Sequence, residues 1–212
     1  MDGTLLRPDG QLSSRSIALV HALRARGVHF AFATGRPTPA VQAHVDVLGI
    51  ALPCITFNGA CIIHMRPQLP PTPLWEHALP ADLADAAISH AVEAGYCISY
   101  SMRTRAAALA TTPEQAEAAR KYMMLEGVEQ ELIQEVAVMR QLVRTTPALK
   151  VVMLVEDPEL AAEAARAALD GRFSVHVIAA EVRGPMSASM RKSGCQGEVR
   201  KSGGWLGPCP AP

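Results

Sequence analysis

Three short runs near the start of the chain carry side chains that could act on a phosphate group. They are Asp2-Gly3-Thr4, Thr34-Gly35-Arg36 and Asn58-Gly59. Phosphoryl transfer through a covalent intermediate requires a carboxylate nucleophile, a second carboxyl group that handles protons, and positive charge on the phosphoryl oxygens. The second and third runs each follow a short apolar segment, and open α/β sheets bind ligands at the carboxyl ends of such strands. We therefore treat all three runs as candidate elements of one site.

In order and spacing these runs resemble the motifs of the haloacid-dehalogenase-like (HAD) phosphohydrolases, Cof-type (class IIB) subgroup. The resemblance implies that Asp2 is the catalytic acid/base, and that its backbone carbonyl ligates Mg²⁺. It also implies that the Thr34 hydroxyl is catalytic and donates to a phosphoryl oxygen. The remaining positions that it assigns to substrate or phosphate binding are Gly3, Thr4, Gly35, Arg36, Asn58 and Gly59.

The activity that the resemblance implies is that of a Mg²⁺-dependent phosphatase. Its substrate would be a small phosphorylated metabolite similar to a sugar phosphate, hydrolysed through an aspartyl-phosphate. The resemblance covers roughly residues 2–182, and Lys150, in its Leu-Lys-Val-Val setting, also matches the family's cap domain.

Three departures from the family pattern predict a chain that is truncated at both ends. The nucleophilic Asp should precede Met1, where the chain has no residue. The family's Ser-Lys-Gly motif should follow Val182, but the chain continues Arg183-Gly184-Pro185, and its Mg²⁺-binding Gly-Asp-x-x-Asn-Asp motif has no counterpart. We expect an internal start and a lost reading frame or gene boundary after about Val182, and no activity from the chain as it stands. The alternative function is a non-catalytic fragment or cap-like module that binds phosphate or another small molecule.

Charge and composition exclude several other function classes. The chain has 212 residues, of which 49% are hydrophobic. It carries 20 acidic and 20 basic side chains. A balanced charge gives no general attraction to nucleic acid or to an anionic membrane, so we expect neither partner. A nucleic-acid module built on the scattered basic residues of the C-terminal segment is a third alternative. Without an apolar run of membrane-spanning length or a secretory signal, the expected location is the cytoplasm, and the oligomeric state stays open.

The cysteines predict no disulfide framework. The chain has five widely spaced cysteines, namely Cys54, Cys61, Cys97, Cys195 and Cys209. An odd number and wide spacing favour the interpretation that they are small buried side chains in a reducing compartment. Cys54 and Cys61 could be combined with His64 as a partial zinc set, but a fourth ligand is missing.

The elements that must position the candidate site form the N-terminal part of an α/β core. Helical spacing and caps predict helices near 14–27 and 37–49, and apolar runs predict strands at 28–33 and 52–57. A strand, a helix and a strand in this order form a βαβ unit with a parallel sheet. Because four prolines crowd into residues 67–73 and cannot occupy a central strand, we end this Rossmann-like, partial HAD core at residue 66.

Residues 67–182 are predicted to form an inserted α+β cap domain of the C2 type. Expected strands lie at 74–79, 96–102, 105–110, 149–155 and 173–179. Expected helices lie at 80–94, from Pro113, at 128–143 and at 158–171, and the whole forms an antiparallel sheet with helices on one side. Residues 183–212 are rich in Gly, Ser and Pro and are predicted to be an irregular tail. We also expect the cap to be better ordered in solution than the partial core.

Overall fold

A computed structural model describes residue 1, residues 4–169 and the backbone of strands 173–179 and 195–201. This described part contains six α-helices and ten β-strands in two sheets. The helices are α1 (Ser14–Ala25), α2 (Thr38–Leu48), α3 (Ala81–Glu93), α4 (Pro113–Glu126), α5 (Val136–Thr145) and α6 (Pro158–Ala168). The strands are β1 (Phe32–Ala33), β2 (Leu52–Thr56), β3 (Cys61–Arg66), β4 (Leu69–Glu76), β5 (Cys97–Ser101), β6 (Ala106–Leu109), β7 (Gln130–Ile133), β8 (Lys150–Val155), β9 (Phe173–Ala179) and β10 (Cys195–Lys201).

The first sheet has the strand order β1-β2-β3-β4 and contains the predicted βαβ unit. Strand β1 runs parallel to β2, with Phe32 opposite Cys54, and α2 connects them. Strand β1 covers two residues and is therefore shorter than the predicted 28–33. Apolar side chains from α2, β2 and β3 form the core of this unit; those that are fully buried include Val41, Val45, Leu52, Cys54 and Ile63.

Helix starts follow the capping residues that the sequence indicates. Ser13 accepts a hydrogen bond from the Ser16 amide at α1, and Thr112 accepts one from the Gln115 amide at α4. Asp157 caps α6 in the same way. These side chains satisfy amides that the first helical turn leaves without a partner.

Strand β4 is an edge strand, which agrees with the prediction that the proline-rich segment cannot form a central one, but it begins earlier than the strand expected at 74–79. Residues 69–76 pair antiparallel with β3, with Pro73 opposite Ile63 and Trp75 opposite Ile62. The prolines are accommodated because β4 is an edge strand, where a missing amide need not break a ladder on both sides. The β3–β4 hairpin spans the predicted boundary at residue 66, and we propose that the division between the two units falls after Glu76.

The second sheet has the order β7-β6-β5-β8-β10-β9 and is antiparallel except where β6 pairs with β7. Helices α3, α5 and α6 contribute to the main core cluster on one face. Helix α4 covers the other face, where Ala119 packs with Cys97 and Ala108. The prediction that helices cover one side of this sheet was therefore wrong. Strands β5 and β6 are buried on both faces, so helices must pack against each face.

Two segments differ in their secondary structure from the predictions. The expected helix 128–143 is divided into strand β7 and helix α5, since Leu132 lies in register with Ala108 beside β6. Residues 195–201, which fall in the predicted irregular tail, form β10 between β8 and β9. Pairing on both sides satisfies main-chain groups whatever the side-chain pattern, so periodicity does not reveal such a strand. The rest of 183–212 lies outside the described residues.

Within the described ranges, no helix is both long enough and apolar enough to cross a bilayer.

Candidate active site

The loops after β1 and β2 meet at the carboxyl edge of the first sheet. The Thr34 amide donates to the Ile55 carbonyl at 2.9 Å, which extends the parallel pairing by one residue. The Asn58 amide then donates to the Thr34 carbonyl at 3.1 Å, and the Phe57 amide donates to the Arg36 carbonyl at 3.1 Å. The structure thus brings Thr34, Gly35, Arg36, Asn58 and Gly59 together, as expected for neighbouring parallel strands.

Gly35 and Asn58 fit against each other so closely that any larger residue at position 35 would require the Asn58 side chain to shift. A Cβ atom placed on Gly35 would overlap the carboxamide of Asn58. Asn58 adopts a left-handed conformation with φ 55° and ψ 32°, which asparagine tolerates better than most residues. Phe57 also has a positive φ of 50°. Two consecutive non-glycine residues in this region store strain, which a structure retains where the surrounding contacts determine the backbone.

The Thr34 hydroxyl is oriented by its own loop. Its Oγ1 accepts a hydrogen bond from the Arg36 amide at 3.1 Å. A hydroxyl has one hydrogen to donate and two lone pairs that accept, so this contact leaves the hydrogen of Thr34 available for another acceptor. The half-buried position of Thr34 at the end of β1 allows such an acceptor to approach from solvent.

A buried pair of threonines connects the start of α2 to the end of β2, next to the two loops. The Thr38 and Thr56 hydroxyls lie 3.2 Å apart, and Thr56 also donates to the Cys61 carbonyl at 3.5 Å. Both side chains are almost completely buried. Sequence reasoning did not assign them a role, although a threonine at the end of β2 and another at the start of α2 could have indicated this contact.

The N-terminal run is only partly described. Asp2 and Gly3, and with them the predicted acid/base and the predicted carbonyl ligand for Mg²⁺, lie outside the described residues. Thr4 is exposed, and its amide donates to the Met1 carbonyl at 3.3 Å within a turn. Leu6 then pairs with Leu12 across a loop that contains Pro8-Asp9-Gly10.

The described residues do not supply a metal site. Across 1, 4–169 and the two further strands, no three His, Cys, Asp or Glu side chains are placed so that they could hold a metal ion. Cys54, Cys61 and Cys97 are free and buried. Burial raises the pKa of the Cys54 thiol to about 12, although a backbone hydrogen bond from Phe32 partly opposes this rise. Such a thiol stays protonated and is a poor metal ligand or nucleophile at neutral pH.

One buried cation reaches the site from the second sheet. Lys150, the first residue of β8, donates from Nζ to the Gly35 carbonyl at 3.4 Å. The same Nζ lies 3.8 Å from a carboxylate oxygen of Glu126. In the sequence Lys150 matches the family's cap without an assigned role, although a charged residue inside the apolar run Leu149–Val155 is itself a signal of a buried contact.

Comparisons with known proteins agree with this architecture. The family model for haloacid dehalogenase-like hydrolases matches residues 1–182. A structure from Thermotoga maritima superposes with a TM-score of 0.69 at 16% identity, over 94% of this chain and 67% of that one. A HAD subclass IIB sugar phosphatase superposes with a TM-score of 0.62 at 14% identity, over 95% and 68% of the two chains.

Among curated proteins, the HMP-PP phosphatase of Shigella boydii is 35% identical over 85 residues, which is 40% of this chain and 31% of that protein. The aligned part of the chain thus spans about a third of the length of this relative. The chain belongs to the haloacid dehalogenase-like hydrolases, within the Cof-type, class IIB group. Its two mixed sheets are the partial α/β core and the α+β cap that the sequence predicted.

Proposed function

We propose that the chain carries the phosphate-binding half of a phosphatase that hydrolyses a small phosphorylated metabolite. The observation that carries this proposal is the junction of the Thr34-Gly35-Arg36 and Asn58-Gly59 loops, with the Thr34 hydroxyl hydrogen available. A sugar phosphate and HMP-PP are the substrates that the names of the similar proteins suggest. The cytoplasmic location that the sequence predicts is part of the same proposal.

Each site residue has a role that its chemistry supports. Thr34 donates its hydroxyl hydrogen to a phosphoryl oxygen, and the Arg36 guanidinium supplies positive charge next to the same group. Asp2 protonates the leaving oxygen and later takes a proton from water, as the resemblance implies. Asn58 and Gly59 shape the mouth of the site. Mg²⁺, when bound at the Asp2 carbonyl as the resemblance implies, would add positive charge next to the phosphoryl oxygens.

A second candidate is a module that binds phosphate or a small molecule without turning it over. The specific observation in its favour is that the two loops bring the Thr34 hydroxyl and the Asn58 carboxamide close to each other. A hydroxyl and a carboxamide can both donate hydrogen bonds to an anion, whereas the family's hydrolysis also uses Mg²⁺.

The two candidates are separated by measuring binding and turnover on the same preparation. Release of inorganic phosphate from glucose 6-phosphate, HMP-PP and p-nitrophenyl phosphate would be followed with and without Mg²⁺, and binding of inorganic phosphate by NMR titration. Thr34→Val removes the hydroxyl at nearly constant volume and should weaken phosphate binding roughly 10- to 100-fold, as for a lost hydrogen bond to a charged group. Thr34→Ser should recover most of this loss.

The phosphatase and the binding module predict different outcomes. Turnover that Thr34→Val reduces supports the phosphatase, and binding without turnover supports the module. Thr104→Val, at an exposed position between β5 and β6, is the matched control and should change neither quantity. If neither binding nor turnover is detected with the unmodified chain, both proposals are wrong.

A further inference from the structure

The start of β8 joins the two sheets. Leu149 is buried in the core cluster of the first sheet, whereas Val151 is buried in the core cluster of the second. The Leu149 amide donates to the Ser101 carbonyl at 2.9 Å, and the Leu79 amide donates to the Ala148 carbonyl at 2.7 Å. These hydrogen bonds fix the backbone before Lys150, and pairing of Lys150 and Val151 with β5 fixes the backbone at and after it.

Lys150 is buried to a degree that is rare for lysine. Its side chain is 4% exposed, and that of its partner Glu126 is 18% exposed. A buried ammonium group is costly unless it is paired and hydrogen-bonded. Glu126 balances the charge, but the geometry directs the ammonium group toward the Gly35 carbonyl as well.

The Gly35–Arg36 peptide group connects Lys150 to Thr34. Its carbonyl oxygen accepts from Lys150 Nζ, and its amide, which belongs to Arg36, donates to Thr34 Oγ1. Hydrogen bonds arranged in series polarise one another, most strongly where water is excluded. A cation at the carbonyl end makes the amide a stronger donor, and an oxygen that accepts a stronger bond becomes a stronger donor through its own hydrogen.

We propose that Lys150 is a positioning residue that acts through the Gly35–Arg36 peptide group on the Thr34 hydroxyl, so that the cap sheet sets how well the core loop binds a phosphoryl group. The inference rests on the proposed function, because it requires that Thr34 donates to phosphate. It adds a residue 115 positions away in sequence to the determinants of that site.

The purely structural alternative is that Lys150 only neutralises Glu126 at the junction between the sheets. It predicts that removal of the charge lowers stability and leaves the chemistry of the Thr34 loop unchanged. The positioning role and the purely structural role therefore predict different chemical shifts for the peptide group between Gly35 and Arg36, which NMR measures directly.

The test compares Lys150→Met, Lys150→Gln and Lys150→Arg in the full chain. Two quantities would be measured: the chemical shifts of the Gly35 carbonyl carbon and the Arg36 amide in the free protein, and the dissociation constant for inorganic phosphate. Lys150→Met should shift both resonances and weaken phosphate binding roughly tenfold, as for one modest hydrogen-bond contribution. Lys150→Gln, which keeps a neutral donor, should be intermediate and serves if the methionine variant does not fold.

Lys150→Arg keeps the charge and should return the dissociation constant to within about threefold of the original value. Lys121→Met removes a lysine from the surface of α4, where it pairs with Glu117 at 3.9 Å, and should change neither the resonances nor the binding. The inference is overturned if the unmodified chain binds phosphate and the folded Lys150→Met or Lys150→Gln variants bind it equally well. If the unmodified chain binds no phosphate, it is the proposed function that fails, and the inference with it.

Discussion

At the scale of single residues, the candidate site depends on how closely two loops approach. Thr34, Gly35 and Asn58 are connected by backbone hydrogen bonds and by direct van der Waals contact. The residue types that the sequence marked as candidates could be predicted because each follows an apolar strand. Their mutual fit could not, since it depends on the left-handed backbone of Phe57 and Asn58, which local sequence does not reveal.

Gly35→Ala tests this fit. The added methyl group overlaps the Asn58 carboxamide, and overpacking of this kind costs about 1–3 kcal/mol in the free energy of unfolding. Urea unfolding of the variant measures the loss, and phosphate titration should show weaker binding at the displaced loop.

The matched control adds Asn58→Gly to the same chain. Glycine removes the carboxamide and suits the positive φ of position 58, so the double variant should regain much of the stability that Gly35→Ala loses. A double variant as unstable as the single one would show that the contact is not the cause.

At the scale of elements, the sequence predicted the starts of helices better than it predicted the strands. Helix starts were predictable from capping residues such as Thr112 and Asp157, because a cap acts through hydrogen bonds to amides two or three residues away. Strands β3, β7 and β10 were missed and β4 was predicted only in part, because a strand is stabilised by partners that are distant in sequence. In β7, for example, Leu132 continued a helical pattern and yet pairs beside β6.

The buried thiols on β2 and β5 give stability a defined pH dependence. Burial raises the pKa of Cys54 and that of Cys97 to about 12, whereas a thiol in the unfolded chain titrates near 8.5. Between these values the unfolded chain releases protons that the folded chain retains, so stability falls as pH rises and is constant below this window. Each thiol contributes a slope of up to about 1.4 kcal/mol per pH unit.

Urea unfolding at pH 7.5, 9.5 and 10.5 checks this dependence. A variant with Cys54→Ala and Cys97→Ala should be less stable at pH 7.5, because buried volume is lost, but should lose less stability on going to pH 10.5. Lysine and tyrosine titration is common to both proteins and cancels in the difference. Parallel curves for the two proteins would contradict the prediction.

At the scale of the whole molecule, the two sheets are covered to different extents. The second sheet has helices on both faces, and its central strands β5 and β8 are buried almost throughout. The unit around the first sheet leaves apolar side chains exposed on α1, on the following segment and on β2, namely Leu19 (53%), Val28 (47%) and Ile55 (39%). Local opening is easiest where few buried apolar contacts would be lost.

Hydrogen exchange should therefore be slower across residues 80–178 than across residues 14–57. Exchange followed by mass spectrometry on peptides from both regions measures this directly, and the amides of β5 and β8 should be the slowest. Slower exchange in 14–57 would mean that the first sheet is the more stable unit.

The sequence by itself determined the family, the helix starts, the βαβ unit and the candidate residues after β1 and β2. These follow from motifs and periodicities within some thirty residues, where local hydrogen bonds and burial patterns dominate. Only the tertiary structure decided that Asn58 fits against Gly35 and that Lys150 reaches the same glycine from the second sheet. That contact joins residues 115 positions apart, and it exists because β8 passes from one core into the other at Leu149. Chain packing, which no local pattern encodes, places the charge there.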